Sequence, residues 1–259
     1  MSRTKESLND RIFGFSKVPE TEKARLFCFS YAGGSASFYS DWSSFLHKNI
    51  GVYPYELAGH GGRAEESTLH TVESASKEAA DTIKEFSDKP ILLYGHSMGG
   101  IIAFQTSFEL AEKYGTAAAG LFISASVPNY SQTSKMNGIK MSELNDEEFC
   151  DKLIEFEAID KRIFRVKSFK EIYLPVIRSD FYMTENFIPT DNIKLDSDMF
   201  IYGGSGDKII SAQLLNEWKV HTNKKIQINV MSGGHFFVRQ HKERICSDIS
   251  NFVLRMEEI

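Results

Sequence analysis

The chain has 259 residues, of which 42% are hydrophobic and 25% are charged, a balance that is ordinary for a folded globular protein and excludes a disordered chain. Its 30 basic and 35 acidic residues give a net charge of -5, which offers no general attraction for nucleic acid or for an anionic membrane. The polar start and the lack of a long apolar run predict a cytoplasmic protein without a signal peptide or membrane span. We also expect a monomer. Cys28, Cys150 and Cys246 are scattered without metal-ligand spacing, which predicts reduced, mostly buried thiols and no metal site.

Six short runs rich in β-branched and aromatic residues predict β-strands. They cover residues 25–30, 51–57, 91–96, 121–126, 199–204 and 226–231. Most are apolar throughout, which is typical of strands that are covered on both faces. Apolar residues at three- and four-residue spacing predict helices between the strands and at the C-terminus. Strand and helix therefore alternate, and this predicts an α/β fold with a mostly parallel central sheet flanked by helices.

The alternation is interrupted between the fourth and fifth predicted strands by an interval of about seventy residues, which is far longer than a usual crossover. Phe149, Leu153 and Phe156 mark an amphipathic helix there. Residues 168–187 carry further helical spacing, bent or restarted at Pro175. We predict one domain over residues 1–259, with a helical lid insertion at about 131–190.

The stretch "ILLYGHSMGG" (91–100) contains the pattern Gly-x-Ser-x-Gly. It follows the third predicted strand and precedes an apolar helix, which is the setting of a nucleophile elbow. Side chains at Gly95 and Gly99 would collide with the neighbouring strand and helix, and Ser97 would lie at a helix N-terminus that stabilises negative charge. A plain tight turn is the alternative. The strand-turn-helix setting favours Ser97 as a nucleophile.

A serine nucleophile needs a base and a carboxylate to orient that base, and in this architecture the acid and then the histidine follow the serine. Of seven histidines, His235 directly follows the last predicted strand, in "SGGHFF". His60 also follows a strand, but it precedes Ser97. Asp207 follows the fifth strand in "GGSGD", where a turn residue or helix N-cap is the alternative. The other nearby aspartates lie in or at the edge of the insertion: Asp180, Asp191, Asp196 and Asp198.

The same chemistry needs two donors for the oxyanion that forms when a serine attacks a carbonyl. One is expected to be the backbone N–H of Met98, the residue after the nucleophile. The other is expected from the loop after the first strand, where we select Ala32 in "FSYAGGSASFY" (29–39). Gly33 and Gly34 in that loop are equally compatible with a simple turn.

Five segments carry a further pattern: "CFSYAGGSASFYSDW" (28–42), "YGHSMGG" (94–100), "LPVIRSDF" (174–181), "GGSGD" (203–207) and "GGHFF" (233–237). Together they resemble the stand-alone type II thioesterases of nonribosomal peptide and polyketide synthesis. The resemblance implies an α/β-hydrolase fold with a mobile helical lid, and no cofactor. It implies hydrolysis, through an acyl-enzyme intermediate, of acyl groups on the phosphopantetheine arm of acyl or peptidyl carrier proteins, which removes misprimed or stalled units.

The resemblance carries the catalytic roles to Ser97, Asp207 and His235, and the oxyanion donors to Ala32 and Met98. The chain departs from the family pattern at two places. Ser30 replaces a usual proline, and in "AGHGGR" a histidine, His60, stands where an arginine is usual near Arg63.

Two other functions fit the sequence. A carboxylesterase or lipase for small acyl esters would use the same triad, and a non-catalytic hydrolase-fold binding protein would commonly lack one triad member. The insertion also contains a basic cluster, formed by Lys161, Arg162, Arg165, Lys167 and Lys170. Either it docks an acidic carrier protein or it is an ordinary solvated helix face, which is what charge runs usually are. Five phenylalanines of the insertion have two interpretations: they line an acyl channel, or, as we expect for most of them, they pack the insertion onto the sheet. They are Phe149, Phe156, Phe164, Phe169 and Phe181.

Overall fold

A computed structural model describes residues 8–130, 140–156, 162, 166, 168–190 and 193–257. Its strands are β1 (Ala24–Phe29), β2 (Ile50–Tyr55), β3 (Ile91–His96), β4 (Gly120–Ser124), β5 (Asp198–Gly204) and β6 (Ile226–Met231). They form one sheet in the order β2-β1-β3-β4-β5-β6, and all five neighbouring pairs are parallel. The predicted fold class is confirmed, and each strand begins and ends within two residues of its predicted position.

Helices cover both faces of the sheet. They are α1 (Leu8–Ile12), α2 (Val72–Ile83), α3 (Met98–Tyr114), α4 (Asp146–Glu155), α5 (Leu174–Glu185) and α6 (Val238–Glu257). Short 3₁₀ helices occupy 36–39, 42–44, 61–63, 84–86, 141–143 and 214–220. No helix within these described ranges is long and apolar enough to cross a membrane.

Alternate residues of β1 point to opposite faces of the sheet, as the two-residue period of a strand requires. Phe27 and Phe29 pack into the core beneath α2 and α3. Leu26 and Cys28 pack into the second core, beneath α6. Both cores are fully buried, which explains the continuous apolar runs of the sequence. All three cysteines are free and buried, as the sequence predicts.

The insertion forms a small helical layer with its own apolar cluster. Helix α4 begins with a capping box between Asn145 and Glu148, and α5 follows a π-helical turn at Phe169–Tyr173. The π-helical turn ends just before Pro175, which lies in the first turn of α5. The change from π-helix to α-helix therefore falls one residue before the proline at which the sequence predicts a bend or restart. We call residues 140–156 and 168–190 the lid layer; part of the predicted 131–190 insertion lies outside the described residues.

Candidate active site

Ser97 lies in a strained turn between β3 and α3, with φ 55° and ψ -120°. A side chain on Gly95 would overlap the carbonyl oxygen of Gly99, and a side chain on Gly99 would overlap that of Phe29. Strands β1 and β3 and the start of α3 therefore approach so closely that only glycine fits. The Ser97 N–H donates to the Ser124 carbonyl at 2.8 Å, which fixes the turn against β4. This local packing maintains a backbone conformation that a non-glycine residue rarely adopts.

The structure brings Ser97, Asp207 and His235 into one hydrogen-bonded chain. The Nε2 atom of His235 lies 2.9 Å from the Ser97 Oγ, and its Nδ1 atom lies 2.8 Å from the Asp207 Oδ2. A carboxylate accepts hydrogen bonds, so Nδ1 carries the proton and Nε2 is left to accept the serine proton. The side chain of Asp207 is fully buried, and that of His235 is 6% exposed.

Two glycine-rich loops hold the aspartate and the histidine in place. Asp207 follows β5, and its other oxygen, Oδ1, accepts hydrogen bonds from the N–H groups of Ile209 at 2.8 Å and Ile210 at 3.1 Å. The loop that carries His235 follows β6, and its Gly233 carbonyl accepts a hydrogen bond from the Gly206 N–H at 2.8 Å. The sequence offered two interpretations of Asp207, a triad acid and a turn or N-cap residue. Its carboxylate makes both kinds of contact, one to His235 and the others to backbone N–H groups.

The expected oxyanion donors lie at the same cavity as the serine. Met98 is the first residue of α3, so its N–H belongs to the first turn and has no acceptor within the helix. Ala32 is in the loop after β1, and Ala32, Ser97, Met98 and His235 all line one cavity. The cavity is open to solvent, and together with the solvent space at its mouth it encloses about 550 Å³. Its apolar wall includes Ile101, Tyr130, Leu153, Phe156, Phe181 and Ile209.

Other histidines and aspartates do not join this group. His96 is completely buried and donates to or accepts from the Ser124 hydroxyl at 2.7 Å; burial lowers the pKa of His96 well below its usual value, and the nearby His235 lowers it further. His60 contacts Asp180 at 2.8 Å instead of the serine. Asp196 and Asp198 bond to the segment before β6. Asp191 lies outside the described residues.

The lid layer contributes to the cavity only in part as expected. Phe156 and Phe181 line it, whereas Phe149 is buried inside the layer and Phe169 packs against that cluster. Phe164 lies outside the described residues. Of the basic cluster, Arg162 and Lys170 are exposed, and Lys161, Arg165 and Lys167 are outside the described part of the chain.

Residues after β4 also line the cavity, although the sequence did not single them out. Ala125 has a positive φ of 49°, and it lines the cavity together with Ser126 and Tyr130. Their position directly after a strand could have indicated this, because side chains at the carboxyl ends of parallel strands lie along one edge of the sheet.

A serine in a strand-to-helix elbow, bonded to a histidine and an aspartate from two later loops of a parallel sheet, is the arrangement typical of hydrolases with the α/β-hydrolase fold. Residues 24–253 match the family model of the thioesterase domain, and the chain belongs to that family.

Relatives cover nearly the whole chain. This chain is 27% identical to Thioesterase PikA5 of Streptomyces venezuelae over an alignment of 232 residues, which covers 89% of this chain and 81% of that protein. It is 28% identical over 261 residues to the medium-chain S-acyl fatty acid synthase thioesterase of Homo sapiens, covering 98% and 95%. The structure of the type II thioesterase BorB from the borrelidin biosynthetic cluster shares the fold, with a TM-score of 0.81, 24% identity and coverage of 91% and 95%. The family suggested by the sequence motifs is confirmed.

Proposed function

We propose that this thioesterase hydrolyses acyl groups from the phosphopantetheine arm of acyl or peptidyl carrier proteins, and so removes misprimed or stalled units from a nonribosomal peptide or polyketide assembly line. The observation that carries the proposal is the hydrogen-bonded chain of Ser97, His235 and Asp207 beside an apolar cavity. Its similarity to Thioesterase PikA5 and to the type II thioesterase of the borrelidin cluster supports the assembly-line setting. The reaction uses side chains, backbone N–H groups and water, and we propose that it needs no cofactor.

In the first half of the reaction, the Ser97 Oγ attacks the thioester carbonyl while the Nε2 atom of His235 takes the serine proton. Asp207 keeps the imidazole in the required tautomer and stabilises the imidazolium. The carbonyl oxygen becomes an oxyanion that accepts hydrogen bonds from the N–H groups of Ala32 and Met98. The carbon–sulfur bond then breaks, and the departing pantetheine sulfur takes the proton from His235.

In the second half, water attacks the ester between the acyl group and Ser97. His235 accepts a proton from that water, and the same two N–H groups stabilise the second oxyanion. The bond to the serine oxygen breaks, His235 returns the proton to the Ser97 Oγ, and the free acid leaves. The apolar wall of the cavity suits the acyl chain, because burial of each CH₂ contributes about 0.8 kcal/mol.

A second groove supports a route for the carrier arm. It meets the catalytic cavity at Tyr31, which lines both. Ser35 and Ser37 line this groove together with Ile172 and Tyr173, which are 58% and 56% exposed. Hydroxyl groups can bond the amides of pantetheine, and exposed apolar side chains beside them suit a protein contact.

The test is intact-mass analysis of several acyl-loaded carrier proteins after incubation with the enzyme. Wild-type protein is expected to return the carrier to its unloaded mass, and Ser97→Ala is expected to leave it loaded. Ser107→Ala is a matched control, because Ser107 is a buried serine further along the same helix α3. Substantial hydrolysis by Ser97→Ala would contradict the mechanism.

Two further measurements separate the other functions that fit the sequence. A carboxylesterase would hydrolyse a simple ester of an acid faster than the carrier-bound acid. A non-catalytic binding protein would leave Ser97 unlabelled by a fluorophosphonate probe. A cytoplasmic location and a monomeric state are also proposals from the sequence, and light scattering after gel filtration tests the second of them. For the basic cluster the sequence favours a solvated helix face over a docking site.

A further inference from the structure

His60 and Asp180 form a buried pair that the proposed mechanism does not use. The Nε2 atom of His60 lies 2.8 Å from the Asp180 Oδ2, and the two residues are 5% and 1% exposed. The other ring nitrogen, Nδ1, lies 3.1 Å from the Ala58 carbonyl oxygen, which can only accept. Burial opposes a charge on the ring, but Asp180 outweighs it and raises the pKa of His60. Both ring nitrogens therefore face oxygen acceptors, an arrangement that suits an imidazolium paired with a carboxylate.

Asp180 also reaches the loop that carries the first oxyanion donor. Its Oδ2 accepts a hydrogen bond from the Gly33 N–H at 2.7 Å, and Gly33 directly follows Ala32. Gly33 has a φ of +75°, and a side chain there would overlap Ile177 of α5. Helix α5 of the lid layer thus touches this loop through a hydrogen bond and a close van der Waals contact. The bond fixes the plane of the peptide between Ala32 and Gly33.

A second buried carboxylate holds the far end of the same loop. The Ala36 N–H donates to the Glu56 Oε1 at 3.0 Å, and Glu56 is 2% exposed. His60 lies close enough to Glu56 to interact with its charge. The loop is therefore held between two acceptors, one from the body of the protein and one from the lid layer, and His60 is the cation they share.

We propose that Asp180 is a positioning residue for the reaction, which holds the Ala32 N–H in line with the oxyanion through the Gly33 N–H, and that His60 neutralises its charge. The proposal rests on the proposed function in two respects, the use of Ser97 as nucleophile and of the Ala32 N–H as an oxyanion donor. A carboxylate near the oxyanion would repel it if no cation were paired with that carboxylate. The pair supplies a strong acceptor for the loop without placing a net negative charge beside the hole.

The test compares Asp180→Asn with Glu185→Gln. Glu185 is a buried carboxylate on the same helix, and it accepts hydrogen bonds from Met141 and Ser142 within the lid layer, away from the oxyanion loop. The substrate is an activated acetyl ester, so the result does not depend on recognition of a carrier. The assay measures kcat, KM and the inhibition constant of a trifluoromethyl ketone, whose adduct places an oxyanion in the hole.

For Asp180→Asn we expect kcat to fall by roughly 10- to 100-fold, somewhat less than the loss of a whole donor. KM should change little, and inhibition by the ketone should weaken by the same factor as kcat/KM. Glu185→Gln should lower thermal stability to a similar extent while kcat stays within about threefold of wild type. Equal kcat losses in the two variants, or a rise in KM alone, would overturn the positioning role.

His60→Gln provides a second measurement, which does not depend on the folding of Asp180→Asn. It leaves the Asp180 carboxylate without its cation, so kcat should fall by a comparable factor. The double variant H60Q/D180N removes both charges at once, so its kcat loss should be no larger than that of D180N alone; losses that multiply would overturn the role of His60. If wild-type protein cleaves the ester but no carrier thioester, the proposed function fails and the positioning role stands.

Discussion

Asp207→Asn separates the chemical role of this residue from its structural role. In the native chain Oδ1 accepts two backbone hydrogen bonds, from Ile209 and Ile210, and Oδ2 accepts one from His235. An asparagine amide has one oxygen and one NH₂ group. The two backbone donors select the oxygen, so the NH₂ group must face the Nδ1 atom of His235.

That orientation reverses the tautomer of the histidine. Nδ1 must now accept a proton, so Nε2 carries one and cannot accept the proton of Ser97. In triads of this kind the change lowers kcat by about 10⁴-fold, equivalent to about 5 kcal/mol of transition-state stabilisation. The backbone hydrogen bonds remain, so the melting temperature should stay within about 2 °C of wild type.

The assay is kcat on an acyl thioester, combined with thermal unfolding of the same samples. Asp207→Ala is the control, since it loses the backbone hydrogen bonds as well and should melt about 2–4 °C lower, for a cost of about 1 kcal/mol. An Asp207→Asn variant that keeps more than about a tenth of wild-type kcat would refute the tautomer argument. A large fall in its melting temperature would assign the lost activity to folding.

Three further outcomes are expected. Tyr173→Glu should lower kcat/KM for a carrier-bound acyl group by about tenfold and leave kcat/KM for a small free thioester unchanged. Tyr182 is about as exposed but lies on α5 outside the groove, so Tyr182→Glu should change kcat/KM for neither substrate. Gly99→Ala should lower the melting temperature by roughly 2–12 °C, because the added methyl group meets backbone. His60→Gln should be less stable than wild type near pH 6. The folded state holds the His60 proton more tightly than the unfolded state, so the stabilisation by protonated His60 is complete below about pH 6.5. The difference in unfolding free energy should therefore shrink as the pH rises through the raised pKa of His60. A difference that grows with pH would contradict the ion pair with Asp180.

Strands β1 to β5 were predictable because they are buried on both faces; β6, at the edge of the sheet, is only partly buried and was predicted from its β-branched residues. Residues on both sides of β1 enter apolar cores, so the run is apolar throughout and its ends are marked by polar or glycine residues. The positions of Ser97, Asp207 and His235 after strands were also predictable, because parallel strands bring their carboxyl ends to one edge. Their catalytic roles stay predictions.

The pair between His60 and Asp180 was not predictable in this way. The two residues are separated by 120 positions, one in a loop after β2 and the other on a lid helix, and no periodic pattern links them. His60 appeared in the sequence only as a rival base and as a departure from an arginine. Its actual partner depends on how the lid layer packs against the oxyanion loop, and that packing is a tertiary property.

The burial of all three cysteines has a consequence for an enzyme that handles thioesters. A thiolate attacks a thioester readily, and such exchange would move the acyl group onto sulfur instead of releasing it. Burial raises the pKa of Cys28, of Cys150 and, to about 12, of Cys246, so each stays a protonated thiol out of reach of substrate. In the proposed mechanism the acyl group therefore passes to the oxygen of Ser97 and not to one of these sulfurs, and the oxygen ester would be released by hydrolysis.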